Sequence, residues 1–137
     1  IMEEMQIWNL FQSARIAGAL SAIGIILAIW LALRVAAATR ASDESNIITK
    51  LLSTVFCGTV VLSAWTGFAQ NVTSWALTAR SLEDLQASGT EISETATGFI
   101  AYVGTTDPVS TPTPVGMVFV GVVGLMMLMQ IWMPKQS

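Results

Sequence analysis

Three long stretches without a charged side chain constrain this chain more than any other feature of its sequence. They run from residue 16 to 33, from 51 to 79 and from 115 to 133. The hydrocarbon core of a membrane is about 30 Å thick and takes roughly 20 residues of α-helix at 1.5 Å each. The sequence therefore predicts an all-α integral membrane protein with three transmembrane helices.

The composition agrees with lipid as the main solvent. Only 11% of the residues are charged, whereas soluble domains carry about 25%. The chain has no histidine, which removes the commonest general base and the commonest ligand of zinc, copper and haem. We expect no catalytic, cofactor-binding or metal site. The net charge of −3 and the scattered basic residues exclude a nucleic-acid-binding face.

Turn residues set the predicted boundaries within a single membrane domain over 1–137. We expect helices at about 12–38, 47–78 and 114–133. Pro114 would open the third helix, where the missing N–H of proline costs least. The connection over 79–113 is predicted to be a long extracytoplasmic loop. Within it, Ser81 and Asp84 resemble a capping box that would start a short helix, which Gly89 would end.

The orientation follows from the basic residues. If the N-terminus is outside, Arg34, Arg40, Lys50 and Lys135 lie inside, while Arg15 and Arg80 lie outside. An excess of Lys and Arg marks the cytoplasmic side. We therefore expect an N-out, C-in, multi-pass protein of a bacterial or archaeal inner or cytoplasmic membrane.

The first apolar stretch could instead belong to a cleaved signal peptide. Ala36 and Ala38 give it an A-x-A-like end, as at a cleavage site. Glu3 and Glu4 stand where a signal peptide has a basic cluster. This difference favours a retained span.

Small residues gather on one side of the first helix. At 100° per residue they fall within one arc, which Ile25 and Ile29 interrupt. Small residues let helices approach closely in lipid, so this face packs either on the chain's own helices or on another subunit. The predicted partner-packing residues, with two from the third helix, are Gly18, Ala22, Gly24, Ala28, Ala32, Gly121 and Gly124.

Several other residues carry weaker signals. Trp8, Trp75 and Trp132 are predicted to be interfacial anchors, since tryptophan favours the boundary between lipid and water. Cys57 is predicted to be a small buried apolar residue. The acidic residues between positions 83 and 94 are expected to form a solvated face.

In size and hydropathy the chain is similar to the small accessory subunits of large membrane enzymes, such as respiratory complexes, photosystems and copper-containing membrane monooxygenases. This similarity assigns a role to no residue. We expect a non-catalytic subunit that stabilises or positions catalytic subunits, with larger integral membrane subunits and lipid as its partners. The alternatives are a self-assembling protein, either a holin-like pore or a pilin-like homo-oligomer, or a small transporter or channel.

Overall fold

The computed structural model describes residues 2–135, and its regular structure there is entirely α-helical. The helices, in chain order, are α1 (Met2–Ala41), α2 (Ile47–Ala87), α3 (Glu94–Val103) and α4 (Pro114–Trp132). Three of them, α1, α2 and α4, are long and apolar enough to cross a membrane. The prediction of an all-α chain with three such helices is confirmed.

Helix α1 begins at Met2, well before the predicted start at residue 12. The segment before the apolar stretch is rich in Met, Glu, Gln and Leu, which all have high helix propensity. Glu3 and Glu4 lie in the first turn, where the positive end of the helix dipole favours carboxylates. The helix therefore extends through residues that are too polar for a membrane span.

Helix α2 continues past its predicted end at residue 78. Ser81 does not start a new helix, because its hydroxyl donates to the carbonyl oxygen of Leu77 within α2. Leu82 is fully buried and stabilises this extension. The helix is capped at Ser88, and Gly89 follows with a φ of +93°, a conformation that favours glycine.

The segment predicted as a loop, 79–113, contains α3 as well as the end of α2. Ser93 caps α3 by accepting the backbone N–H of Ala96, and Gly104 ends it with a φ of +74°. Residues 104–113 then lead without a helix to α4. Thr113 caps α4, and Pro114 occupies its first turn.

Helices α1 and α2 form an antiparallel pair joined by a short turn at 42–46. Near the turn, the hydroxyl oxygens of Thr39 and Ser53 lie 2.6 Å apart. At the far end, the rings of Phe11 and Trp75 meet edge-on at 5.1 Å. Since α1 has 40 residues, the pair is about 60 Å long, roughly twice the thickness of the hydrocarbon core.

Helix α4 lies along the half of this pair nearer the turn. Gly124 faces Val61, and the indole of Trp132 donates to Thr54. We call residues 18–41, 47–71 and 114–132 the bundle, and residues 2–17 and 72–113 the cap. The end of the bundle that holds the turn and residues 133–135 is the turn end. The buried core of the bundle consists of Ile29, Ala32, Ala36, Cys57, Val60, Ala64, Val120, Val123, Met127 and Ile131.

Candidate functional surfaces

The inner face of α1 in the bundle is a stripe whose positions alternate by four and three residues. Its members, all buried or partly buried, are Gly18, Ala22, Ile25, Ile29, Ala32 and Ala36. The mean spacing of 3.5 is that of left-handed helix packing. Ile25 and Ile29 therefore belong to the packed face. From the sequence we expected these two residues to interrupt the face of small residues. The difference arises because the stripe repeats every 3.5 residues, whereas the sequence was plotted at 3.6 residues per turn. On such a plot the stripe shifts in angle along the helix, and Ile25 and Ile29 appear outside it.

Most of the predicted small residues on α1 face the chain's own helices. Ala32 is fully buried, and its carbonyl oxygen lies 3.5 Å from the sulfur of Cys57, the buried residue on α2. Ala22 and Ala28 are partly buried. A Cβ added at Gly18 would lie 3.6 Å from the side-chain oxygen of Asn71. Close packing of α1 on α2 accounts for these positions.

Two of the predicted residues differ from the others. A Cβ added at Gly24 or at Gly121 would meet no atom within 4 Å. Gly124, by contrast, faces Val61 with its added Cβ at 3.5 Å. The predicted set thus divides into positions used inside the chain and two that are open. Contact of the open positions with a partner stays a prediction.

Large apolar side chains cover the outside of the bundle. Each of the three long helices contains an apolar segment of 18 residues. Within the chain, 11% of this segment is buried in α1, 17% in α2 and 22% in α4. Leu27 is 61% exposed and Trp30 is 57% exposed, both near the middle of α1. Contiguous apolar surface of this kind marks a face that contacts lipid or another protein.

Three threonine hydroxyls in the bundle part of α2 donate within their own helix. Thr54, Thr59 and Thr66 each donate to a carbonyl oxygen one turn earlier, a common arrangement for hydroxyls in membrane helices. Among residues 2–135, every buried side-chain nitrogen or oxygen has a hydrogen-bond partner. The same residues bring together no group of three or more metal-ligating side chains.

An aromatic cluster holds the cap together. Trp75 of α2 stacks on Phe99 of α3 with ring centres 5.6 Å apart. Trp8 of α1 meets Phe99 edge-on at 5.1 Å, and Phe11 lies edge-on at 5.3 Å from the same ring. The Arg15 guanidinium lies 5.9 Å from the centre of the Trp75 ring. Two predicted interfacial anchors, Trp8 and Trp75, are therefore packed in this cluster.

A carboxylate ties α3 to α1 next to the aromatic cluster. Glu4 accepts hydrogen bonds from the Ser93 hydroxyl and backbone N–H and from the Trp8 indole. These hydrogen bonds hold the pKa of Glu4 below its ordinary value of 4.5. The largest effect comes from the Ser93 hydroxyl, followed by the Trp8 indole and then the Ser93 N–H. Because Ser93 is also the cap of α3, Glu4 fixes the start of that helix.

The segment 104–113 is fastened to α2 by two side chains. The Thr73 hydroxyl donates to the carbonyl oxygen of Val109 at 2.8 Å and accepts its N–H at 2.9 Å. The Trp65 indole donates to the carbonyl oxygen of Ser110 at 3.2 Å. Beside this segment lies a groove of about 450 Å³, whose lining includes Trp75 and Tyr102.

The turn end is held by polar contacts of the residues that follow α4. The Arg40 guanidinium donates to the carbonyl oxygen of Pro134 at 2.7 Å. The Lys135 ammonium lies 2.6 Å from the carboxylate of Asp43 and lowers the pKa of that group. Trp132, the third predicted anchor, has the Lys50 ammonium 5.7 Å from its ring centre.

Comparison with protein-family models, with curated proteins and with solved structures finds no match to this chain. We therefore infer the function of the chain from these surfaces. We did not predict from the sequence that Glu4, Phe11 and Phe99 organise the cap. For Glu4 and Phe11 a signal existed, because both continue the four-and-three spacing of the α1 stripe toward the N-terminus.

Proposed function

We propose that this chain is a non-catalytic subunit of a larger multi-subunit membrane enzyme complex, such as a membrane oxidoreductase, a monooxygenase or a respiratory or photosynthetic assembly. Its bundle would lie in the membrane, pack against larger integral membrane subunits and stabilise or position them. Its cap would stand on the outer side as a compact platform.

The observation that carries this proposal is the open surface of the bundle. Gly24 on α1 and Gly121 on α4 offer backbone that no side chain of the described residues covers. In lipid, apolar area alone does not drive helices together, and close approach at small residues does. A partner helix can therefore gain contacts at these glycines that lipid chains supply less well.

We propose a bacterial or archaeal cytoplasmic membrane as the location of the chain, and the charge distribution supports an N-out, C-in orientation there. The turn-end side of the bundle carries four of the six basic residues, Arg34, Arg40, Lys50 and Lys135. The cap carries most of the acidic residues. Under the positive-inside rule, the turn end faces the cytoplasm and the cap faces outward.

Site-specific photo-crosslinking in native membranes tests the proposal. A photoreactive residue at Gly24 or Gly121 should crosslink to a larger polypeptide. Ala36 is a matched control on the same helix as Gly24, since it is fully buried and should give no product with another chain. The open positions are better probes than Ala32, which α2 covers.

The products also separate the rival functions. Crosslinks between identical copies at Gly24 would favour a self-assembling homo-oligomer and would contradict an accessory role. Crosslinks only to lipid at both open positions would remove the argument for a protein partner on this surface.

A further inference from the structure

A cationic hollow lies at the turn end of the bundle, between the end of α1, the start of α2 and the residues after α4. Its volume is about 280 Å³, and Arg40, Lys50 and Lys135 contribute to its lining together with the hydroxyl residues Ser42 and Ser45. A second shallow hollow opens on the other side of Arg40 and Lys135. Three elements of the fold thus place three basic side chains around one small space.

The basic groups of the hollow exceed its carboxylates. Asp43 is the carboxylate in the lining, and within residues 2–135 its contact with Lys135 is the one ion pair. The Asp43 side chain is 95% exposed, so solvent screens this pair and it can rearrange easily. The hollow therefore has a positive excess that an anion can neutralise.

The donors in the hollow are oriented but not used up. Arg40 gives one of its five N–H groups to the carbonyl oxygen of Pro134, which holds the guanidinium at the lining. The Ser42 hydroxyl accepts the backbone N–H of Glu44 and keeps its proton for donation. This combination of a guanidinium, ammonium groups and a hydroxyl is suited to the oxygens of a phosphate.

The hollow lies where the apolar part of the bundle ends. Helix α4 has 19 residues and a length of about 28 Å, close to the thickness of the hydrocarbon core. Its last residue, Trp132, contacts both Thr54 and Lys50. A tryptophan ring beside a lysine at the end of a span marks the boundary layer in which lipid phosphates lie.

We propose that this hollow binds the phosphate of an anionic membrane lipid. Arg40 and Lys50 supply the charge, and Lys135 joins them by exchanging Asp43 for the phosphate. The lipid chains would lie along the apolar surface of the bundle next to the hollow. Basic pockets between helix ends are a known type of site for anionic head groups. A free phosphate ion has the same chemistry at the hollow but lacks this second contact.

Native mass spectrometry of the full chain, released from a neutral detergent, tests the proposal. We expect added phosphatidylglycerol to stay bound and phosphatidylcholine to dissociate. Replacing Arg40→Gln and Lys50→Gln together should weaken phosphatidylglycerol binding about thirtyfold, because each basic residue near a lipid surface contributes about a factor of five. Glutamine keeps an N–H for Pro134, and an unchanged circular dichroism spectrum would show that the variant is folded.

The matched control removes two positive charges from the cap, with Arg15→Gln and Arg80→Gln. This variant should bind phosphatidylglycerol as the unmodified chain does. An equal loss in the control, or equal retention of the two lipids, would overturn the proposal. Binding of inorganic phosphate that the Arg40→Gln and Lys50→Gln variant loses, together with no retention of phosphatidylglycerol, would also overturn it, because the hollow would then be a site for free phosphate.

Discussion

The cap and the bundle of this molecule share the helices α1 and α2 but are stabilised in different ways. In the cap, named side chains from distant parts of the chain meet in specific contacts, as Glu4 does with Ser93 and Trp75 with Phe99. In the bundle, small residues bring the helices together, and large apolar side chains such as Leu27 point away from the chain.

The two regions therefore differ in where their contacts come from. The cap packs Trp8, Phe11, Trp75 and Phe99 against one another within one chain. Its buried side-chain nitrogen and oxygen atoms all have hydrogen-bond partners. The bundle leaves most of its apolar surface uncovered, which is stable only against lipid or another protein. Stability should therefore be sensitive to side-chain loss in the cap, and assembly should be sensitive to added bulk on the open side of the bundle.

The largest expected effect comes from removing a ring in the cap. Phe11 is 5% exposed and touches three other aromatic rings. Phe11→Ala should lower the free energy of unfolding by about 3–5 kcal/mol and open the cap to protease. Near-ultraviolet circular dichroism and limited proteolysis in detergent measure this. The same change at Phe56, which is 39% exposed in the bundle, should lower the free energy of unfolding by clearly less, because only part of this side chain is buried. Equal losses of stability for the two variants would contradict the difference between the cap and the bundle.

The next effect comes from adding bulk to the bundle. Ala32 is fully buried against α2, so Ala32→Leu should lower the free energy of unfolding by about 1–3 kcal/mol. Gly24→Leu, on the open side of the same helix, should leave the thermal stability of the isolated chain unchanged or raised. It should weaken association with a partner. A matching loss of stability for both variants would show that Gly24 is an internal contact.

Acid should loosen the cap before it affects the bundle. The pKa of Glu4 in the folded chain lies below its ordinary value of 4.5. The contribution of Glu4 to stability is therefore complete above that pH, and it is lost as the pH falls through the lowered pKa. Glu4→Gln should cost about 1–2 kcal/mol at neutral pH and remove this part of the pH dependence. Melting temperatures measured from about pH 6 to about pH 3 test this pH dependence. The same measurement on Glu3→Gln, which changes the exposed neighbouring carboxylate, is the control.

The smallest effect concerns the segment 104–113. Thr73→Val removes both hydrogen bonds to Val109 and should cost about 1 kcal/mol. The Val109 amide should then exchange its hydrogen faster with solvent, which hydrogen–deuterium exchange measures. Thr59→Val is the matched control in the bundle, because the Thr59 hydroxyl is exposed and bonds within α2. Unchanged exchange at Val109 would show that other contacts hold this segment.

The sequence predicted the bundle better than the cap for a physical reason. Each span is a local property, since a stretch of about 20 apolar residues is sufficient to cross a membrane. The start of α1 at Met2 was missed because the prediction followed hydropathy, whereas that segment is helical by propensity and by packing on α2. The spacing of Glu4, Trp8 and Phe11 carried a usable signal, as it continues the stripe of the bundle.

The rest of the cap had no comparable signal. Glu4 and Ser93 are far apart in the chain, and neither local sequence predicts that the two residues form a contact. The open positions of the bundle could not be separated from the packed ones either. Gly24 and Ala28 lie about one helical turn apart and look alike in the sequence. The positions of the other helices show that Gly24 is uncovered.

We propose that the uncovered side of the bundle packs against a larger membrane subunit. Purification at native expression level in a mild detergent, followed by mass measurement of the intact particle, tests it most directly. We expect the chain to be recovered in a fixed ratio with at least one larger membrane polypeptide. Gly24→Leu should lower this ratio while the chain stays folded. Recovery of the unmodified chain as a stable monomer would contradict it.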